Sequence, residues 1–174
     1  GVLDWKSAGL SLAVVFERYG KNGNIGYGLV EGALTKPGAV ATTWSHDSHN
    51  LFVLGTDEND MKLAQRRVLE LQGAYVVFAE GRSLAEAGLP AALAASPRVR
   101  TIGGIVSDQP IEVLGQELKE VRAVMEGLGY VNNNVIMSMS TLCLPVSPKL
   151  KLTDHGLLTV PGQEHVPLVE KYGK

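Results

Sequence analysis

The chain of 174 residues is short of cysteine, of excess charge and of long apolar runs, and each shortage excludes something. Its one cysteine, Cys143, permits no internal disulfide, which suits a reducing, cytoplasmic compartment. A formal net charge of −2 gives no basic footprint for nucleic acid and no polybasic surface for a membrane. No apolar run approaches the ~20 residues of a membrane span. Asp4 and Lys6 break the N-terminus as a signal peptide. Gly1 stands where an initiator Met would, as expected of a chain that is processed, excised or part of a longer protein. There is no Gly-x-Ser-x-Gly elbow, no Cys-x-x-Cys and, with four histidines in all, no His-x-His pair.

What is present is an ordinary globular composition, 45% hydrophobic and 20% charged, enough to bury a core without staples. We read residues 1–174 as a single domain. The apolar, β-rich run at 10–16 predicts a buried strand, and further strands follow at 39–44, 51–54 and 74–79. Ile25, Tyr27 and Leu29 alternate with glycines, as in a strand with close backbone neighbours. Thr56 or Asp57 can cap a helix over 57–71, whose stripe is Met61, Ala64, Val68 and Leu71, with Gly73 at its end. Asp108 can cap a second helix over 110–128, whose stripe is Leu114, Leu118, Val121, Met125 and Leu128, with Gly129 closing it. The stretch 85–95 reads as a weak helix or a loop, 99–106 as extended, and 135–144 is ambiguous. The tail carries prolines and reads as irregular. The expected class is α+β, a mixed α/β layer: a mostly antiparallel or mixed sheet covered on one face by two long helices.

The densest polar cluster is SHDSHN at 45–50, between apolar strands. His46 and His49, three apart on a turn, can converge on one cation, and Asp47 can add an oxygen. The simpler reading is a polar loop that satisfies its own backbone. Glu17 and Arg18, at a strand end, are weaker candidates for a ligand rim. They equally suit a solvated rim of little energetic value. The glycines at 20–32 do not make a phosphate loop, because a strand follows them and not a helix. Cys143 reads as a buried thiol. His155 and His165 read as surface residues.

Four blocks resemble the C-terminal domain of adenine deaminase: ERYGKNGNIG at 17–26, SHDSHN at 45–50 with GT at 55–56, IGGIVSD at 102–108, and LPVSPKLKLTDHG at 144–156. They occur in that family's order. The segment 87–98 reads as an insertion relative to it. The resemblance implies an auxiliary domain of a purine deaminase in the amidohydrolase superfamily. The whole enzyme converts adenine and water to hypoxanthine and ammonia. A divalent metal, manganese or iron, sits in its (β/α) barrel, on the same or a separate chain, and this chain has no counterpart of the barrel's ligands. The domain is then part of a hydrolase and is not catalytic alone. Its expected role is to dock on the barrel and bring 45–50 to the mouth of the active site. There His46 or His49 would contact substrate or an accessory metal, and Asp47 and Asn50 would orient them. A non-catalytic metal- or ligand-binding module, or one serving homo-oligomer assembly, is the alternative. An independent hydrolase ranks last, because no complete acid, base and nucleophile set is present.

Overall fold

Strands with an apolar residue at nearly every position need cover on both faces, and that requirement organises the fold. The computed structural model describes residues 4–88, 104–132, 134–147 and 149–168. β1 (Leu10–Phe16), β2 (Ile25–Glu31), β3 (Ala39–Thr42), β4 (Leu51–Gly55), β5 (Ala74–Ala79) and β6 (Arg82–Gly88) form one sheet in the order β2-β1-β4-β3-β5-β6. Every pairing in it is antiparallel. Residues 85–88, read as weak helix or loop, belong to β6. The rest of 85–95, most of the insertion at 87–98, and 99–103 of the extended stretch lie outside the described residues.

Side chains alternate between the faces. Ala39, Ala41, Leu51, Val53, Ala74, Val76 and Phe78 turn to one side, where α1 (Glu58–Glu70) covers them with Met61, Ala64 and Val68. Val40, Phe52, Leu54, Tyr75 and Val77 turn to the other, where α2 (Ile111–Gly127) packs Val121 and Met125. The two helices therefore sit on opposite faces, not on one. A short third helix, α3 (Val135–Ser140), and a 3-10 turn (Thr141–Cys143) resolve the ambiguous stretch and complete the second face.

The helix caps divide. Asp57 caps α1 as expected, accepting from the Asp60 N–H at 2.9 Å. The left-handed residue that ends α1 is Gln72 (φ 57°), not Gly73. The amides of Gln72 and Gly73 reach back to the carbonyls of Leu69 and Val68. Asp108 does not cap α2. The helix starts at Ile111 behind Pro110, whose fixed φ sets the entry, so Asp108 lies too early in the chain.

The tail is not irregular. β7 (Leu150–Thr153), β8 (Gly156–Thr159) and β9 (His165–Val166) form a three-stranded antiparallel meander. It packs across β2, with Leu152 and Leu157 on the same core as α2. The glycines of β2 permit this: a Cβ on Gly26 would lie 1.8 Å from the Thr153 carbonyl oxygen.

Candidate functional site

The loop 45–50 joins β3 to β4 and is tied on every side. Ser45 is fully buried, and its hydroxyl donates to the Asn50 carbonyl at 2.6 Å. The His49 N–H donates to the Ser45 carbonyl at 2.8 Å, closing the turn, with His49 itself left-handed (φ 51°). The His46 N–H donates to the carbonyl of Ser140 at the end of α3. Arg18 and Tyr19, from the end of β1, hold the outer rim. Arg18 Nε donates to the His49 carbonyl at 2.5 Å, and the Tyr19 hydroxyl donates to the Ser48 carbonyl at 2.8 Å. The guanidinium also lies over the Tyr19 ring, 4.9 Å from its centroid.

His46 and His49 come together, their ring centroids 5.8 Å apart. Neither is oriented by Asp47 or Asn50. The indole N–H of Trp44 donates to His46 Nε2 at 3.2 Å, which leaves Nδ1 as the other nitrogen of that ring. Asn50 turns the opposite way and donates its amide to Asp154 Oδ1 at 3.1 Å. Asp154 Oδ2 in turn stands 3.5 Å from His155 Nε2, and Asn24 contacts His155 Nδ1 at 3.3 Å. His49 Nδ1 and Asn50 Oδ1 are buried and, among the described residues, have no hydrogen-bond partner. Such atoms are uncommon in native folds.

Two depressions flank the loop. One, of about 270 Å³, is apolar and lined by Trp44, His49, Ile105, Leu114 and Leu118. The other, of about 360 Å³, has Asp47 and Ser48 on one wall and Thr153, Asp154, His155 and His165 on the other. His155 and His165 are exposed, as expected of surface residues, yet both line this groove. Cys143 also borders it. Burial pushes its thiol up to about 12, so it stays protonated near neutral pH and is no nucleophile.

Glu17 has a structural task. Its carboxylate accepts the backbone N–H groups of Tyr19, Lys21, Asn22 and Gly23, folding the turn between β1 and β2. Desolvation alone would raise its pKa, but these four donors outweigh it and hold the carboxyl below its usual range.

Among the described residues no group of three His, Cys, Asp or Glu side chains converges on a point. One nitrogen of His46 already accepts from Trp44.

The model of the adenine deaminase C-terminal domain matches residues 2–164. The chain belongs to that family. The adenine deaminase of Clostridium perfringens is 50% identical to it over 159 residues, which are 91% of this chain and 26% of that protein. Adenine deaminase 2 of Oenococcus oeni is 46% identical over 169 residues, 97% of this chain and 28% of that protein. The adenine deaminase of Brucella anthropi is 41% identical over 157 residues, 90% and 26% respectively. The chain thus spans about a quarter of the length of the curated relatives it matches.

In this adenine deaminase C-terminal domain the four blocks that carry the resemblance meet at one place. ERYGKNGNIG supplies Arg18, Tyr19 and Asn24. SHDSHN is the loop itself. IGGIVSD lays Gly104 against it, where the Thr43 hydroxyl donates to the Gly104 carbonyl at 2.8 Å and a Cβ on Gly104 would lie 2.8 Å from His49 Nδ1. LPVSPKLKLTDHG supplies Asp154 and His155. The local reading of the sequence missed Trp44, Tyr19, Asn24, Asp154 and His155 as site residues. The signal for most of them was present, since four of the five lie inside the quoted blocks.

Proposed function

We propose that the chain is the auxiliary C-terminal domain of an adenine deaminase, which converts adenine and water to hypoxanthine and ammonia. It docks on a barrel that holds the divalent metal, manganese or iron, and it sets the loop 45–50 at the mouth of the active site. One observation carries this reading: the chain covers about a quarter of proteins named adenine deaminase, at 41–50% identity. The convergence of four separated blocks on one loop supports it, because a loop needed only to join two strands requires no such scaffold. Deamination chemistry then belongs to the barrel, and this chain lines and closes the mouth. With Nε2 of His46 accepting from Trp44, its Nδ1–H is a donor, which suits a ring nitrogen of a purine. Among the described residues no helix is long and apolar enough to cross a membrane. A purine-converting role goes with a cytoplasmic place.

The test joins the chain to the remainder of a relative and compares His46→Ala and His49→Ala with the parent. We expect kcat/KM for adenine to fall about tenfold or more, which is about 1.4 kcal/mol of transition-state stabilisation. Both half-buried rings contribute little packing, so the melting temperature should hold. Parent-level activity per folded molecule together with a large drop in stability would make the loop a structural latch and sink the assignment. The chain alone should release no ammonia from adenine. Sustained release from the purified chain with added manganese would contradict an auxiliary role.

A further inference from the structure

The apolar stripe of α2 is longer than the sheet that covers it. Ile111, Leu114, Leu118, Val121, Met125 and Leu128 follow one another at helical spacing on one face. From Val121 onward the stripe is buried in the core. Leu114 and Leu118 are half covered, and they wall the apolar groove with Trp44, His49 and Ile105. Ile111 is 72% exposed. Val113 and Val106, the latter in the segment leading into the helix, are exposed as well. A helix end that leaves aliphatic side chains bare to solvent is a surface fit to receive an apolar partner.

We propose that the N-terminal half of α2, with the groove beside Trp44 and His49, is the surface on which the remaining three-quarters of an adenine deaminase packs. This rests on the function proposed above. The occupant is argued from length: relatives extend far beyond the quarter that this chain spans, and that greater part must meet the domain somewhere. It is also argued from position. His49 walls the groove, so a body seated there touches the loop 45–50 at the same time. The matching surface carries aliphatic side chains.

The experiment uses the chain alone and the chain joined to the remaining three-quarters of the Clostridium perfringens adenine deaminase. Ile111→Asp is compared with Leu69→Asp, a change at a half-exposed leucine of α1 on the opposite face. In the chain alone both variants should melt as the parent does. In the joined protein, Ile111→Asp should release the domain to limited proteolysis about tenfold faster than the parent, while Leu69→Asp should not; a tenfold change in the open population is the reading of a weakened interface. Ile111→Gln, a milder change, should act in the same direction and carries the test if the aspartate variant does not fold. Unchanged digestion of both Ile111 variants overturns the proposal. So does a dimer of the chain alone that Ile111→Asp breaks, because the occupant would then be a second copy. The readout here is domain release, whereas the function proposed above stands or falls on adenine turnover by His46→Ala and His49→Ala, so the two can fail separately.

Discussion

The two faces of the central sheet are covered unequally. On the α1 face Met61, Ala64, Val68 and Leu71 are all buried, and the helix packs on β3, β4 and β5. On the α2 face the second half of the helix fully buries Val121 and Met125, the first half is only partly covered at Leu114 and Leu118, and cover continues through α3, the 3-10 turn and the meander. Among the described residues, Trp44, Ile105, Leu114 and Leu118 of the candidate site pack with the core on the α2 face. One helix acts as scaffold, and the other is both scaffold and border of a site. Stability and function are therefore separable by face, and a graded series along α2 should show where one gives way to the other.

The largest effect should come from the buried half of that helix. Met125→Ala removes a fully buried side chain and should cost about 2–5 kcal/mol in urea unfolding. Ile111→Ala, on the same stripe, should change stability by no more than about 0.5 kcal/mol in the chain alone. Equal losses at the two positions would mean that the stripe is covered throughout, and the contrast between the faces would collapse.

A medium effect should distinguish the two helix ends, which close in the same way with different residues. At the end of α2 the left-handed position is Gly129 (φ 94°), and a Cβ there would lie 1.9 Å from Thr35 Oγ1. Gly129→Ala should therefore destabilise by about 1–3 kcal/mol, since the loop holding Thr35 must move. At the end of α1 Gln72 already accepts the left-handed backbone, and its amide donates to the Leu69 carbonyl at 2.9 Å. Gln72→Gly should relieve the backbone and lose that bond, for a net change under about 1 kcal/mol. Thermal unfolding of both variants checks the pair. A Gly129→Ala protein as stable as its parent would show that the loop after Leu34 does not press on α2.

Most of the fold was legible because periodicity is local. The strands at 10–16 and 74–79 and both long helices stand where apolar spacing put them, and the strand expected at 51–54 runs one residue further, to Gly55. The meander was missed because strands of four, four and two residues are too short for alternation to register. The opposite placement of the helices was implicit in strands that are apolar at every position, which a half-covered sheet does not need. The loop 45–50 was legible as a polar cluster, but its partners were not. Asp154 lies 104 residues from Asn50 in the chain. Sequence proximity suggested that Asn50 would orient a histidine, yet its side chain reaches the turn between β7 and β8 instead, just after the left-handed turn at His49. Glu17 looked like a rim residue for the same reason: nothing local shows a carboxylate taking four backbone donors.

The smallest effect we expect lies on the closed face and depends on pH. Arg67 of α1 grips Glu86 of β6 with two parallel bonds of 2.8 Å, and the Ser83 hydroxyl adds a third at 2.8 Å. Partial burial would raise the Glu86 pKa, but the bonds from Arg67 and Ser83 outweigh it and hold the carboxyl below its ordinary value of 4.5. The sign follows from linkage. A carboxyl whose folded pKa is depressed stabilises the fold above its unfolded pKa, and that contribution is lost as pH falls through the folded value. Arg67 stays charged throughout, its pKa raised further by the same bonds, so only the carboxylate titrates. The pair is partly exposed and screened, which limits the contribution to about 1 kcal/mol or less. Urea midpoints measured from pH 6 down to about pH 3 should therefore fall more steeply for the parent than for Glu86→Gln, with the difference confined to the acid side of 4.5. Glu17 is depressed in both proteins and cancels in the comparison. Parallel acid limbs would show that the fork joining α1 to the edge strand contributes nothing, and that the closed face is held by Met61, Ala64 and Val68 alone.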